Sequence, residues 1–372
     1  MAQKRKKKGG NKVVRNVIIG VEAVVLIAVV VILIFVWRAT DQEGTGATKY
    51  NLGSDPEELG VNEEIVNDPT VKEIRDQYTT LAFFGVDARN GTLNKGTRTD
   101  TIILCSINNE TGETRLCSVY RDTLLNIGTM DNPSYTKCNA AYAYGGPEKA
   151  IAMLNQNLDL YITQFVTVGF DGVMNTVDAL GGVDIDIQQN EIKFLNDYQA
   201  SMYSTETNTV ITDNYVPVTD VGMQTLSGYQ ALAYCRIRYT AGSDFKRTER
   251  QRDVVSQIVY KAKQMDPAKI TRICNDVFPY IATNMDLNDD IIPMASQASK
   301  YSIVASSGFP FDDKITTGLL GAKGDCVIPV DLEANVVDLH EFLYPGITYT
   351  PSENVKTISS TIKAEAARYL GN

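Results

Sequence analysis

Between Gly85 and Thr123 the chain sets Asp87, Arg89, Arg98, Asp100, Arg121 and Asp122 at the ends of apolar runs. Charge beside apolar strands is costly unless it pairs or binds an ion, so Asp87, Arg98, Asp100 and Arg121 need a shared partner. A polyphosphate carrying a divalent cation would supply one. A second cluster holds Arg236 and Arg238, then Arg247, Arg250, Gln251 and Arg252. At helical spacing Arg247, Arg250, Gln251 and Val254 share one broad face, and Arg236 and Arg238 share a face if their segment is extended. Guanidinium groups grip phosphate oxygens in pairs, so four or five converging arginines suit a diphosphate better than a lone carboxylate. Taken singly, Asp87 with Arg89 or Arg98 with Asp100 reads as a surface ion pair, and 247–252 as a solvated helix face. Their combination is what argues for a site. His340, the single histidine, reads as structural, since one histidine makes no zinc site of the usual kind.

These residues must be positioned by alternating strands and helices. Apolar alternation predicts strands at Thr80–Val86, Asp100–Asn108 and Glu113–Val119, the last two joined by a turn at Asn109–Gly112. A short helical lead-in over Tyr135–Ala143 ends at Gly145-Gly146, and a helix with proline in its first turn covers Pro147–Asn157. Further strands fall at Phe165–Val168 and Val183–Ile187, separated by a helix over Asp171–Leu180. The glycine pairs read as turns, and the polar stretch 188–224 as an irregular insertion or lid. Beyond Pro267, helices are expected near 268–273, 287–298 and 333–343, with a strand at Cys326–Pro329. Residues 351–372 read as a short amphipathic helix with a frayed end. The pattern predicts one α/β domain over 80–350, with a central mixed β-sheet flanked by helices.

The first forty residues predict where that domain works. Residues 1–16 form a basic cytoplasmic head, and the apolar run 17–37, with Glu22 its only charge, is long enough for one transmembrane helix. A cleaved signal peptide has a shorter apolar core and a small-residue cleavage site, neither of which is clear here. Basic residues before the span place the N-terminus inside, which puts 38–79 outside as a polar stalk ending in a helix near Val71–Gln77. The first fifteen residues hold seven of the 35 Lys and Arg and none of the 45 Asp and Glu, leaving 28 basic against 45 acidic residues, a net −17. So acidic an ectodomain argues against nucleic acid as a partner. Any phosphate must be held by local arginines.

Gly85-Val-Asp87-Ala-Arg89, Arg98-Thr-Asp100-Thr, Ser118-Val-Tyr-Arg121-Asp122-Thr123, Lys137-Cys-Asn139-Ala-Ala-Tyr142, Asp178-Ala-Leu-Gly-Gly-Val183-Asp184 and Arg236-Ile-Arg238 with Arg250-Gln251 together resemble the LytR-CpsA-Psr family, over a motif core of about 80–262. The resemblance implies a phosphotransferase on the outer face of a Gram-positive-type membrane. It would move a glycopolymer, such as a teichoic acid or capsular polysaccharide, from an undecaprenyl diphosphate carrier to peptidoglycan. By match to the family motifs, Asp87 and Asp100 would hold Mg²⁺ (or Mn²⁺). Arg98, Arg121, Arg236, Arg238 and Gln251 would grip the diphosphate, with Arg247, Lys137 and Arg89 in support. Acids for the cation and an arginine clamp suit phosphoryl transfer, in which the protein mainly positions groups and neutralises oxygens. A greasy tunnel is expected for the lipid tail. Tyr120 stands where the family usually has proline, which predicts a less rigid loop.

Six cysteines outside the membrane allow disulfides. The pairs expected are Cys138 with Cys235 and, second, Cys274 with Cys326, while Cys105 and Cys117 would face each other across the hairpin as simple buried residues. Hydrolysis of the lipid diphosphate and a non-enzymatic scaffold are the other functions in view. The basic head is too short for a DNA-binding domain.

Overall fold

The computed structural model describes residues 48–50, 52–53, 55–86, 93, 96–204, 209–210, 215–238, 243–264, 281–285 and 302–370. The expected transmembrane run 17–37, the helices near 268–273 and 287–298, and Asp87, Arg89 and Cys274 lie outside these residues. Among the described residues no helix is long and apolar enough to cross a membrane.

In chain order the elements are β1 (Thr48–Lys49), α1 (Pro69–Gln77), β2 (Tyr78–Val86), β3 (Thr99–Asn108), β4 (Glu113–Val119), β5 (Leu124–Asn126), β6 (Tyr135–Lys137) and α2 (Ala140–Leu158). They continue with β7 (Gln164–Gly169), α3 (Phe170–Ala179), β8 (Val183–Ile187), α4 (Gln189–Ala200), β9 (Gly222–Leu226), α5 (Gly228–Cys235) and α6 (Ser243–Lys263). The last are β10 (Ile281–Thr283), β11 (Ser302–Phe309), β12 (Ile315–Leu319), β13 (Asp325–Pro329), α7 (Leu332–Leu343) and α8 (Glu353–Leu370). A seven-stranded mixed sheet runs β1-β10-β7-β2-β3-β4-β11, as expected of an α/β fold. β2 pairs with β7 in parallel and with β3 antiparallel, while β11 adds to β4 in parallel.

Strand alternation divides the core into two layers. Phe84, Ile102, Leu104, Cys117 and Phe165 pack on one side with Tyr142 and Leu154 of α2, Leu339 of α7 and Ile358 of α8. Leu81, Cys105, Leu116 and Val166 pack on the other with Val177, Leu195, Tyr234 and Val254 from α3 to α6. The expected Cys138–Cys235 pair and the facing of Cys105 and Cys117 fail for this reason, although Cys105 and Cys117 are buried as expected. Cys105 pairs with Leu116 and Cys117 with Leu104, so the two thiols point to opposite faces. Cys138 lies in the first layer and Cys235 in the second, and both are buried free thiols.

Other departures from the sequence reading concern how much the polar segments bury. The expected stalk is already part of the domain from Leu59, since Leu59, Val61, Ile65, Val71 and Ile74 join the first layer. Asp68 caps α1, accepting from the Thr70 and Val71 amides, with Pro69 in the first turn. The expected lid contains α4, whose Leu195 and Gln199 are fully buried, and β9. Tyr135–Lys137 is a strand, and α2 continues across a break in helical backbone at Gly145 and Gly146. The C-terminal helix is long and docked, burying Val355, Ile358 and Ile362 at one-turn spacing.

A buried polar cluster closes the domain on itself. Asp159, with φ +50°, accepts from Asn62 Nδ2 at 2.5 Å and from the Ser352 amide and hydroxyl at 2.8 Å each. Burial raises its pKa above the ordinary carboxylate range despite these donors. Nearby His340 stacks on Tyr349 with ring centroids 3.7 Å apart, and its Nε2–H donates to the Leu158 carbonyl at 2.9 Å. Desolvation lowers the His340 pKa to about 4. Because the unfolded chain protonates near 6.5 and the folded one near 4, stability falls as pH drops through that window, by roughly 3 kcal/mol at pH 4. Urea unfolding of wild type and His340→Gln across pH 7 to 4 should show that slope in wild type and its loss in the variant.

Candidate functional site

The sheet brings one set of strand ends to a single edge. Val86 at the end of β2 pairs with Thr99 at the start of β3, and Val119 at the end of β4 pairs with Phe309 at the end of β11. Carboxyl ends of strands are where α/β sheets commonly open a binding crevice. Here a cleft of about 350 Å³ opens beside Asp100, Thr101, Arg121, Asp122, Arg247 and Gln251, with β12 and β13 as its far wall.

Arg121 is the hub of the cleft. Its Nη1 donates to Asp100 Oδ1 at 2.5 Å and its Nε lies 3.4 Å from Asp122 Oδ2. Lys137 holds the other Asp122 oxygen at 3.2 Å, and Arg238 Nη2 sits 4.0 Å from Asp100 Oδ2. The result is an alternating chain, Lys137, Asp122, Arg121, Asp100 and Arg238, in which no charge is left to itself at an edge next to apolar core. The Arg121–Asp100 link is a half-buried, hydrogen-bonded pair and holds geometry better than the looser ion pairs on either side of it.

The backbone around Arg121 is pinned from several sides. Thr123 Oγ1 donates to the Tyr120 carbonyl at 2.6 Å, and Cys138 Sγ lies 3.3 Å from the carbonyls of Tyr120 and Arg121. The Val327 amide of β13 donates to the Asp122 carbonyl at 2.9 Å. Burial pushes the Cys138 thiol pKa well above its usual range, so it acts here as a neutral donor. The Tyr120 amide donates to the Phe309 carbonyl at 2.9 Å, a bond proline cannot make. The loop is therefore tied down by tyrosine, contrary to the loss of rigidity expected. A Cβ at Gly308 would lie 2.2 Å from the Tyr120 hydroxyl, so glycine there makes room for the ring.

Helix α6 adds to the sheet side of the cleft. Arg247 and Gln251, one turn apart, line the cleft, and Thr101 Oγ1 donates to Gln251 Oε1 at 3.0 Å. Gly85 keeps Thr101 in place, since a Cβ there would come within 3.1 Å of the threonine. Arg250 departs from the expected shared face. It turns into the second layer, with Nε 2.7 Å from Glu191 Oε1 and Nη1 3.2 Å from the Ile237 carbonyl.

Not every expected residue joins the cleft. Arg98 is exposed two residues before Asp100 and does not line it. Arg236 is not extended; it caps α5 with φ −96° and ψ −8°, and its guanidinium lies over Phe170 and Tyr198 at 5.7 and 5.5 Å. Phe170 follows Gly169, which pairs with Val86, so Arg236 stands along the same sheet edge on the β7 side. The Asp178-to-Asp184 motif is architectural. Asp178 Oδ1 accepts the Gly228 amide at 2.7 Å and so anchors α5, while Asp184 holds Thr225 and Lys261. The Thr225 hydroxyl, then Lys261, lowers the Asp184 pKa.

Sequence reasoning left out Asp122 as a site residue, although it adjoins Arg121, and it left out Thr317 and Asp325. Nothing local marks those two. They reach the cleft only because β13 runs beside Thr123 in a parallel bridge with Val327. Among the described residues no group of three or more His, Cys, Asp or Glu is arranged to hold a metal. Asp100 follows Thr99, which pairs with Val86 at the end of β2, so its carboxylate is a hard-oxygen donor at that strand end.

Fold and cleft together define a mixed α/β domain whose site alternates cationic and anionic side chains along the strand ends of its sheet. The chain belongs to the LytR_cpsA_psr family, whose sequence pattern matches residues 37–321. It is 31% identical over 200 residues to Biofilm regulatory protein A of Streptococcus mutans, covering 52% of this chain and 46% of that protein. It is also 31% identical over 218 residues to the polyisoprenyl-teichoic acid–peptidoglycan teichoic acid transferase TagU of Bacillus subtilis, covering 58% of this chain and 60% of TagU. The chain thus matches less than two thirds of the length of either. The crystal structure of gbs0355 from Streptococcus agalactiae superposes with a TM-score of 0.58 at 25% identity, covering 77% of this chain and 94% of that one.

Arg250 on α6 and Arg238, between α5 and α6, separate structural from site roles. Arg250, with a side chain 5% exposed and paired to Glu191, should cost about 3–5 kcal/mol when replaced by alanine, because it strands a buried carboxylate. Arg238, 42% exposed, should cost less than about 0.5 kcal/mol. Urea denaturation of Arg250→Ala and Arg238→Ala reads both.

Proposed function

We propose that this protein is a membrane-anchored extracellular phosphotransferase that moves a glycopolymer from a polyprenyl diphosphate carrier to peptidoglycan. The observation that carries the reading is Arg121 at the centre of the cleft, sharing two carboxylates and flanked by Lys137, Arg238 and Arg247. The name of TagU supports the same donor and acceptor classes. The apolar run 17–37 behind a basic head would hold the domain at the outer face of the membrane, where a lipid-linked donor is presented.

Diphosphate binding would draw Arg121 and Arg238 from Asp100 to phosphate oxygens, where guanidinium groups bind in pairs. Lys137 and Arg247 would add charge from either side, and Gln251, held by Thr101, would fix the position of the α6 side of the cleft. Arg236 would extend the clamp along the sheet edge, and the family motifs add Arg98 and Arg89 to it. The carboxylate that Asp100 then exposes is a hard oxygen donor, and with Asp87 it suits Mg²⁺ or Mn²⁺. A cation so held would neutralise charge on the transferring phosphoryl group.

In the reaction an acceptor hydroxyl oxygen forms a bond to the glycan-side phosphorus. The bond from that phosphorus to the bridging oxygen breaks, polyprenyl monophosphate leaves with the electron pair, and the hydroxyl proton passes to a carboxylate of the cleft or to solvent. Water in place of the sugar hydroxyl would give hydrolysis. Cleavage of the lipid-linked glycan with a peptidoglycan acceptor and Mg²⁺ tests the reading: conjugate supports transfer, and free phosphorylated glycan or no turnover overturns it. Arg121→Ala should lower turnover about 10²- to 10³-fold, and a chelator should abolish it, with Asp100→Asn mimicking the chelated enzyme.

A further inference from the structure

The cleft is divided electrostatically, and the division has a direction. On the sheet and α6 side stand Arg121, Arg247 and Gln251, with Arg238 at 4.0 Å from Asp100. On the other side stand Tyr120, Asp122 neutralised by Lys137 and, from the β12–β13 hairpin, Thr317 and Asp325, whose carboxylate is, among the described residues, the unneutralised charge of this wall's outer part. Asp325 and Thr317 are exposed, and both hairpin strands are held in register from Ile315 opposite Pro329 to Leu319 opposite Asp325. A carboxylate on this wall repels a diphosphate, so the wall is unsuited to the donor's charged group. Carboxylates and hydroxyls accept hydrogen bonds from sugar hydroxyls, and a tyrosine ring offers an apolar face with a polar tip.

The hairpin is also rigidly attached to the reacting side. The Val327 amide donates to the Asp122 carbonyl at 2.9 Å, and Val327 bridges to Thr123, two residues beyond Arg121. Cys326 is buried beneath it, and Lys323 pairs with Glu365 of α8. A wall fixed to the Arg121 loop on one side and to the terminal helix on the other keeps its distance from the donor site. Two substrates of a transfer must be held side by side at such a fixed distance.

We infer that the β12–β13 hairpin is the acceptor subsite, in which Asp325 and Thr317 hold an uncharged polyhydroxylated sugar of the wall polymer against Tyr120 beside the phosphate clamp. The inference rests on the transfer reading above and assigns the second substrate of that same site. Asp325 and Thr317 are positioning residues for the acceptor, and Lys137 with Asp122 marks the boundary between the two halves.

The test measures the full chain with two probes: a polyprenyl diphosphate for donor affinity, and a short peptidoglycan oligosaccharide for acceptor affinity and for transfer kinetics. Asp325→Asn and Thr317→Val should each raise the acceptor KM and Kd about tenfold, the size expected for loss of one hydrogen bond involving a charged or fixed partner. Donor affinity should stay within about twofold, which also reports that the variants fold. Unchanged acceptor binding in both variants, with transfer intact in wild type, would overturn the inference and leave the transfer reading standing. Equal weakening of donor and acceptor would overturn it too, since the wall would then serve the donor. A wild-type protein that binds and hydrolyses the donor but takes up no oligosaccharide would overturn both.

Discussion

Arg121 sharing two carboxylates is the interaction on which the rest of the site depends. One guanidinium satisfies Asp100 at the start of β3 and Asp122 in its own loop, and so ties two strand ends together across an edge that would otherwise bury like charges. A lone arginine there would be unstable beside Ile102 and Val119, and two lone carboxylates more so. Because the chain of charges is closed internally, it persists without a ligand, yet each of its members is a partner that an anion or a cation can displace.

What surrounds Arg121 converts that pairing into a fixed shape. The Tyr120 amide reaches β11, the Asp122 carbonyl reaches β13, and the Cys138 thiol spans two carbonyls of the loop. Each bond is modest alone, about 1 kcal/mol net. Their common effect is that the loop cannot move without disturbing three elements at once, and preorganisation of this kind is what electrostatic catalysis requires.

The fold was legible wherever a segment carries a strong local period. β2, β3, β4, β7 and β8 follow apolar alternation to within two residues, and the Asp100–Arg121 encounter follows from the hairpin between them. Arg247 and Gln251 meet the cleft at the one-turn spacing that suggested it, whereas Arg250 does not, because a face spanning i to i+3 is wide enough to serve two environments. Register was not legible. A one-residue offset places Cys105 opposite Leu116, sends Cys105 and Cys117 to different layers, and with them goes any reading of thiols as neighbours. The polar wall of the cleft was invisible because its residues lie about two hundred positions from Arg121 and carry no local pattern of their own. The terminal helix was underrated for a related reason: its apolar stripe is narrow, and only the groove formed with α7 and α2 shows what it buries.

The Asn62–Asp159–Ser352 cluster brings the first turn region of the domain against the start of its last helix, with the Glu353 amide on Glu64 at 3.0 Å. The polypeptide therefore meets itself, and the backbone between these two points forms a loop sealed by noncovalent bonds. A cut at an exposed turn such as Glu110–Thr111 would leave Asp100 and Arg121 on separate pieces still held together by the β3–β4 ladder and by this closure. A broken chain with an unbroken cleft is the property that this self-sealed geometry confers.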